Sequence, residues 1–195
     1  MKISDLFYSL QGEGANVGLA TIFIRFFDCN LTCSFCDETK HKLVQFEAEI
    51  SEILAKLEEF PAKRVCLTGG EPSLEDRKEL ISALQSKGFY VTVETNGFKP
   101  ENIKNADWIT YSPKDFNDIT FGDWFSEIKI LVQESTPDET LEKIISQVQV
   151  PCFLQPIQVK KKEQNLKNVY KATSFILSHP QIRLSLQLQT WIHIQ

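Results

Sequence analysis

The sequence lacks the features that mark membrane, secreted and nucleic-acid-binding proteins. None of its apolar runs approaches the ~20 residues that span a bilayer, and the start at Met1 has no apolar signal-peptide core. Positive charge is also scarce, because 26 acidic residues outnumber 21 lysines and arginines and give a net charge of −5. A chain of this sign has no general attraction for nucleic acid or for an anionic membrane. We therefore expect a cytoplasmic protein that binds neither nucleic acid nor membrane.

Repeats, low-complexity tracts and linkers rich in proline, glycine or serine are also missing. The 195 residues are enough to bury one sizeable core, so we expect a single domain over residues 1–195. The sequence shows no arrangement typical of a nucleophilic triad either. No residue is therefore predicted to be a catalytic acid or base.

Short apolar segments alternate along the chain with segments of helical period. Strands are predicted at residues 21–27, 64–68, 89–94, 108–111, 127–132, 151–155 and 182–188. Helices are predicted at residues 46–60, 73–88, 136–148 and 165–178, with N-caps at Ser73 and Thr136. Strands separated by helices imply right-handed βαβ units, and there are too few helices here for an eightfold barrel. We predict an α/β fold, a shortened, open (β/α) barrel with a mainly parallel sheet of six to seven strands.

Three of the five cysteines lie within eight residues, directly after the first predicted strand. Cys29, Cys33 and Cys36 have the spacing C-x3-C-x2-C, whereas Cys66 and Cys152 lie in apolar runs typical of core positions. Loops that follow parallel strands form the catalytic end of such barrels. Three thiolates can each bind one iron of a 4Fe–4S cluster and leave the fourth iron open to a small molecule.

Two other interpretations of the cysteines stay open. A zinc site would need a fourth ligand, for which His41 or Cys66 is available, but closed zinc sites normally show two cysteine pairs. Three buried core thiols on a polar loop is the weaker alternative. The spacing favours an iron–sulfur cluster.

The triplet, with Phe35 just before its last cysteine, resembles the signature of the radical S-adenosylmethionine (SAM) superfamily. The resemblance implies a full or partial barrel, and reductive cleavage of SAM at the open iron to a 5′-deoxyadenosyl radical that abstracts a substrate hydrogen. It places Phe35 beside the adenine. After the second strand, Thr68-Gly69-Gly70-Glu71-Pro72 resembles the GGEP motif of the same superfamily, in which Glu71 would bind the methionine amino group of SAM. A strand-to-helix turn with an acidic first turn is the plainer alternative for these residues.

Polar residues also follow later strands, at residues 94–97, 112–114 and 155–158. Each segment alone is ordinary loop chemistry. Together they collect at the end of the barrel where active sites form.

The segment from Phe7 to Gly14, with Arg25 and the Cys-Asn-Leu at 29–31, resembles the 7-carboxy-7-deazaguanine synthase family, and the likeness runs from about Ile3 to Gln158. That family converts 6-carboxy-5,6,7,8-tetrahydropterin into 7-carboxy-7-deazaguanine and ammonia, toward 7-deazapurines such as tRNA queuosine. Its members are homodimeric lyases that regenerate SAM in each turnover and use Mg²⁺. The resemblance implies the same reaction and the same cofactors for this chain.

Residue roles follow from the resemblance and from chemistry. An arginine among apolar strand residues needs an anionic partner, so Arg25 is predicted to clamp the substrate carboxylate, or else to form a salt bridge to a structural carboxylate such as Glu71 or Glu94. The predicted substrate-binding residues are Leu10, Gln11, Gly12, Glu13, Arg25 and Thr68. The predicted SAM-binding residues are Phe35, Gly70, Glu71, Ser112, Pro113, Lys114, Gln155, Pro156, Ile157 and Gln158.

The chain departs from the family pattern in two places. The family reads Cys-Asp-Thr where this chain has Cys36-Asp37-Glu38-Thr39, so Glu38 or Thr39 is the candidate Mg²⁺ ligand. The segment from Gln189 to Ile192 replaces a His-Lys pair of the relatives, and no C-terminal substrate contact is assigned. The run at 160–162 is a solvated turn or a docking site for a reducing flavodoxin or ferredoxin.

Two other functions remain as alternatives. A glycyl-radical-enzyme activase shares the triplet spacing but acts on a large protein and has no need of Arg25. A non-catalytic zinc or iron–sulfur binding module would need only the cysteines.

Overall fold

Nine strands form one sheet in this computed structural model, which describes residues 1–36, 38 and 42–194. The strands are β1 (Lys2–Leu10), β2 (Ala20–Phe26), β3 (Phe46–Glu47), β4 (Arg64–Gly69), β5 (Tyr90–Thr95), β6 (Trp108–Tyr111), β7 (Glu127–Val132), β8 (Cys152–Pro156) and β9 (Arg183–Leu184). The helices are α1 (Ile50–Leu57), α2 (Lys78–Ser86), α3 (Asp138–Ile145), α4 (Lys162–Ser178) and α5 (Leu188–Trp191). Among these described residues, no helix is both long and apolar enough to cross a bilayer.

The sheet is mainly parallel and open. Its order is β3-β1-β2-β4-β5-β6-β7-β8-β9, and every pairing from β2 to β9 is parallel. β1 pairs in antiparallel fashion with β2 on one side and with β3 on the other. The predicted α/β class and open, shortened barrel are therefore confirmed, but the predicted count of six to seven strands is wrong because it omits β1 and β3.

Alternation along the strands separates the core from the barrel interior. On β2, Ile22 and Ile24 are fully buried in the hydrophobic core that the helices cover, whereas Arg25 faces the interior cavity. On β7, Ile128 and Ile130 are buried in the core while Lys129 between them faces the cavity. This period of two fixes which side chains can take part in chemistry.

Two predicted helix starts are wrong. Thr136 does not cap α3: its hydroxyl accepts a hydrogen bond from the Gln133 backbone at 3.0 Å, and the N-cap position belongs to Pro137. Ser73 lies in a short 3-10 turn rather than at the start of α2, and its backbone N–H donates to the Glu71 carboxylate at 3.0 Å. In both places the predicted cap residue forms a local hydrogen bond, with Gln133 or with Glu71, instead of capping the helix.

The helix predictions otherwise hold, with shorter bounds for α1, α2 and α3 and an earlier start, at Lys162, for α4. The helix predicted at 46–60 is α1, which spans Ile50–Leu57 and begins with a capping box between Glu49 and Glu52. It starts later than predicted because residues 46–47 pair with β1. Gly88, with φ +78, follows the end of α2. The segment 113–123 has no helix.

Candidate active site

A cavity of about 440 Å³ lies inside the barrel, toward the carboxyl ends of the parallel strands. Nineteen of the predicted site residues line it: Leu10, Gln11, Gly12, Glu13, Arg25, Cys29, Cys33, Phe35, Cys36, Glu38, Thr68, Gly70, Glu71, Ser112, Lys114, Gln155, Pro156, Ile157 and Gln158. Pro113 is buried but does not line the cavity, and Thr39 lies outside the described residues. Residues far apart in the sequence thus meet in one chamber.

The three predicted cluster ligands lie on the loop that follows β2. Asp28, with φ +71, turns the chain out of the strand, and its carboxylate accepts the Cys29 backbone N–H at 2.8 Å. The Cys29 thiol accepts a hydrogen bond from the Leu31 backbone at 3.4 Å, and the Cys36 backbone donates to the Cys33 carbonyl at 3.2 Å. All three cysteines are free thiols at the cavity wall.

The placement of these donors fits a 4Fe–4S cluster. His41, a candidate fourth ligand in the zinc alternative, lies outside the described residues. A 4Fe–4S cluster takes each thiolate on a different iron, so its ligands need only face one cavity. That is how Cys29, Cys33 and Cys36 are placed.

The Gly69-Gly70-Glu71 turn packs directly against the cysteine loop. A side chain on Gly70 would place its Cβ 1.6 Å from the Asp28 carbonyl oxygen, so only glycine fits this contact. The Glu71 backbone N–H donates to the same carbonyl at 2.9 Å. The turn therefore sets the position of the loop that carries the cysteines.

The Glu71 carboxylate has protein partners already. It is 1% exposed and accepts hydrogen bonds from the Ser73 and Asn96 backbone at 3.0 and 2.7 Å and from the Thr95 hydroxyl at 2.5 Å. It ties the end of β4 to the end of β5. The contact between Glu71 and SAM stays a prediction. It would use the acceptor positions of the carboxylate that these three donors leave unoccupied.

A buried cluster of charged side chains in the cavity wall was not predicted from the sequence. Lys129, 5% exposed on β7, forms ion pairs with Glu13 and, at 2.8 Å, with Glu94 on β5. A lysine between two isoleucines on a buried strand is the same signal that singled out Arg25. It could have been found in the same way.

The Glu13 carboxylate is surrounded by donors. Besides Lys129, it accepts hydrogen bonds from the side-chain amides of Gln155 at 3.0 Å and of Gln187 and Gln189 at 3.2 Å each. A carboxylate offers about four acceptor positions. The predicted contact between Glu13 and the substrate edge therefore requires one of these donors to move.

The two glutamates of this cluster have different pKa values. Burial raises the pKa of Glu13, but Lys129 and the amide hydrogen bonds outweigh burial and lower it to about 2. Burial raises the pKa of Glu94 to about 7, against the lowering effect of Lys129, and the negative charge of Glu13 adds to the rise. Glu13 is therefore the fixed anion and Glu94 the carboxylate that titrates near neutral pH.

Arg25 pairs with a different carboxylate from those predicted. Its Nη1 lies 2.9 Å from Oε2 of Glu38, and its guanidinium lies 5.6 Å from the centre of the Phe7 ring. Arg25 thus forms a salt bridge to a protein carboxylate, as the alternative prediction has it, but the partner is Glu38, because Glu71 and Glu94 are bound by other donors. The Arg25 Nε is buried and has no hydrogen-bond partner among the described residues.

The loop after β1 is hydrogen-bonded to the C-terminal segment and so connects the two ends of the open barrel. The Gly12 carbonyl accepts a hydrogen bond from the Leu188 backbone at 3.0 Å, and the Gly14 N–H donates to the Ser185 hydroxyl at 3.1 Å. A Cβ on Gly12 would lie 1.7 Å from Oε1 of Gln189, so a side chain at this position would have to displace the end of the Gln189 side chain. The C-terminal segment thus brings Gln187, Gln189 and Thr190 to the cavity, which the sequence left unassigned.

Lys114, which also lines the cavity, donates to the Ser112 hydroxyl at 2.7 Å. Burial and the nearby charge of Lys129 lower the pKa of Lys114. A buried ammonium with one protein hydrogen bond has donors left for an anionic ligand group.

Comparisons with known proteins agree with this architecture. The family model described as the Radical SAM superfamily matches residues 23–149. A 7-carboxy-7-deazaguanine synthase of Bacteroides thetaiotaomicron is 38% identical over 195 residues, which cover 100% of this chain and 98% of that relative. One from Burkholderia multivorans is 32% identical and covers 98% of each chain. The solved structure of QueE from Escherichia coli superposes with a TM-score of 0.76 at 27% identity, over 96% of this chain and 93% of that one.

Proposed function

The chain belongs to the Radical SAM superfamily and, within it, to the 7-carboxy-7-deazaguanine synthase family, and we propose that it converts 6-carboxy-5,6,7,8-tetrahydropterin into 7-carboxy-7-deazaguanine and ammonia. It is a radical SAM enzyme of 7-deazapurine biosynthesis. The observation that carries the proposed reaction is the single cavity that joins the cysteine triplet to Arg25, a cationic side chain on the strand that leads into the cysteine loop. A cavity of about 440 Å³ suits a small substrate, and it does not favour the activase alternative, which needs a protein substrate.

Membership of the superfamily implies a 4Fe–4S cluster and SAM. When bound, they supply the 5′-deoxyadenosyl radical that abstracts a substrate hydrogen. Cys29, Cys33 and Cys36 would hold the cluster. The residues proposed to bind SAM are Phe35, Gly70, Glu71, Ser112, Lys114 and the segment 155–158, which all line the cavity, together with Pro113 beside them.

The protein itself positions the substrate. Arg25 has donors in a planar fork suited to the carboxylate of the pterin. Gln11 donates to Glu94 at 3.2 Å, so the two side chains form one polar edge that can match the amide and amino groups of the pterin ring. The hydrogen bond between Gly12 and the C-terminal segment brings that segment to the cavity wall.

Further parts of the proposal concern Mg²⁺, assembly and the electron supply. Glu38 or Thr39 would bind Mg²⁺, because each offers oxygen directly after the cysteine loop. We propose a homodimer of single-domain subunits, as the family resemblance implies. A flavodoxin or ferredoxin would reduce the cluster, and the exposed lysines at 160–162 are the candidate contact.

The Arg25→Ala variant tests the substrate assignment. We expect it to keep its cluster and to cleave SAM to 5′-deoxyadenosine, but to form 7-carboxy-7-deazaguanine about 100-fold more slowly, since charged hydrogen bonds to a carboxylate contribute roughly 3 kcal/mol. The measurement is product and 5′-deoxyadenosine in the same anaerobic reaction, by mass spectrometry.

Arg64→Ala is the matched control for this variant. Arg64 stands at the opposite end of β4 from Thr68 and binds Asn16 at 3.2 Å outside the cavity lining, so its loss should leave turnover unchanged. Normal turnover by Arg25→Ala would show that Arg25 does not hold the substrate.

A further inference from the structure

The ion pair between Arg25 and Glu38 lies inside the cavity. Both side chains line the wall, with 16% and 20% of their surfaces exposed, and their charged atoms are 2.9 Å apart. The guanidinium proposed to bind the substrate carboxylate is therefore already bound to a carboxylate of the protein.

Arg25 is not fully satisfied by this partner. In the part of the chain that the structure describes, its buried Nε has no acceptor, although a guanidinium has five N–H donors that best match a carboxylate two at a time. The Phe7 ring lies 5.6 Å from the guanidinium and offers a face but no acceptor oxygen. The site thus holds Arg25 in place with a donor left over.

The other carboxylates of the cavity wall are committed elsewhere. Glu13 and Glu94 share Lys129, and Glu71 accepts three protein hydrogen bonds. Of these four glutamates, Glu38 is the one whose cation, Arg25, is also the proposed ligand of the substrate carboxylate.

We propose that Glu38 is a specificity-determining residue: an internal counter-ion that occupies Arg25 until the substrate carboxylate displaces it. This rests on the proposed function, in which Arg25 receives that carboxylate. Two carboxylates on one guanidinium repel each other, so the incoming group must move Glu38 away. On leaving Arg25, Glu38 becomes an oxygen donor available to Mg²⁺, the ion that the sequence predicts Glu38 or Thr39 to bind.

Competition of this kind lowers the apparent affinity by the fraction of molecules in which Arg25 is free. If the internal pair is formed in nine molecules of ten, its removal tightens binding roughly tenfold. The gain is confined to ligands that carry the carboxylate. A pterin without this group gains nothing from a free Arg25.

The test is equilibrium binding to the anaerobic, cluster-loaded enzyme with SAM but without reductant, so that no turnover occurs. The two probes are 6-carboxy-5,6,7,8-tetrahydropterin and the same tetrahydropterin without its carboxylate. We expect Glu38→Gln to bind the carboxylated probe roughly tenfold more tightly than the wild type and the second probe equally well. Glu38→Thr, which removes the charge and the length of the side chain, should behave in the same way.

Glu75→Gln is the matched control, because Glu75 also pairs with an arginine at 2.9 Å but is largely exposed and does not line the cavity. It should change neither affinity. Unchanged or weaker binding of the carboxylated probe by both Glu38 variants would overturn the inference, and so would an equal gain for both probes. If neither probe binds the wild type although it cleaves SAM, the proposed substrate itself is wrong, and the inference fails with it.

Discussion

Changing any one of Cys29, Cys33 and Cys36 to alanine is expected to abolish the iron–sulfur cluster and, with it, the cleavage of SAM. Each thiolate holds one iron, so the loss of one leaves a second iron without a protein ligand. The loop from 29 to 36 is irregular, and we expect no ligand from a neighbouring strand to replace the lost thiolate. Iron and sulfide content, visible absorption and 5′-deoxyadenosine formation measure the effect.

Cys66 and Cys152 provide the matched controls. Both are buried on strands, and burial raises the pKa of each thiol to about 12, which keeps it protonated at neutral pH. Their alanine variants should keep the cluster and lose about 1–2 kcal/mol of unfolding free energy, the cost of a small core cavity. Loss of metal in Cys66→Ala would instead make Cys66 a fourth ligand and favour the zinc alternative.

Changing Lys129 to methionine should cause the largest loss of stability. The variant leaves Glu13 and Glu94 facing each other across the cavity wall without their shared cation. Removing one partner of a buried ion pair costs about 3–5 kcal/mol. Urea unfolding of the wild type and the variant measures the difference.

The stability deficit of Lys129→Met should also grow with pH. The pKa of Glu94 in the folded protein, about 7, lies above its unfolded value, so its ionisation already removes stability as the pH rises toward 7. Lys129 lowers the pKa of both glutamates, and without it the folded state resists their ionisation still more. The deficit should therefore be smallest near pH 5 and larger at pH 8.

Lys167→Met is the control for this prediction. Lys167 lies 3.5 Å from Glu134, with 48% and 51% of their side chains exposed, and such surface pairs contribute about 0–1 kcal/mol. A deficit in Lys129→Met no larger than this, or one that stays constant from pH 5 to pH 8, would show that the buried cluster does not stabilise the barrel.

The parallel half of the fold could be predicted because its strands carry their own signal. Seven runs of β-branched and aromatic residues correspond to the seven parallel strands. β1 was missed because its register shifts between Ile3 and Asp5, so that its apolar residues lose the period of two. β3 is two residues long and exists through its pairing with β1, which no local pattern encodes.

The parts of the site that lie in local motifs could be predicted from the sequence. The charge cluster around Lys129 could not, because its residues come together only in the folded chain. The cysteine triplet, the glycine-rich turn and Arg25 are each visible within a few residues. The partners of Lys129 are 116 and 35 residues away, and only the barrel brings them together. The role of Gln187 was hidden because the last strand was predicted to reach Leu188, whereas β9 ends at Leu184 and the chain then turns toward the cavity.

The most direct test of the proposed reaction uses the wild-type enzyme. It is loaded with iron and sulfide under anaerobic conditions, reduced, and given SAM, Mg²⁺ and 6-carboxy-5,6,7,8-tetrahydropterin, and the products are analysed by mass spectrometry. The account predicts 7-carboxy-7-deazaguanine. A brown enzyme that forms 5′-deoxyadenosine but no deazaguanine would contradict the assigned substrate, and a colourless protein with bound zinc would contradict the radical chemistry itself.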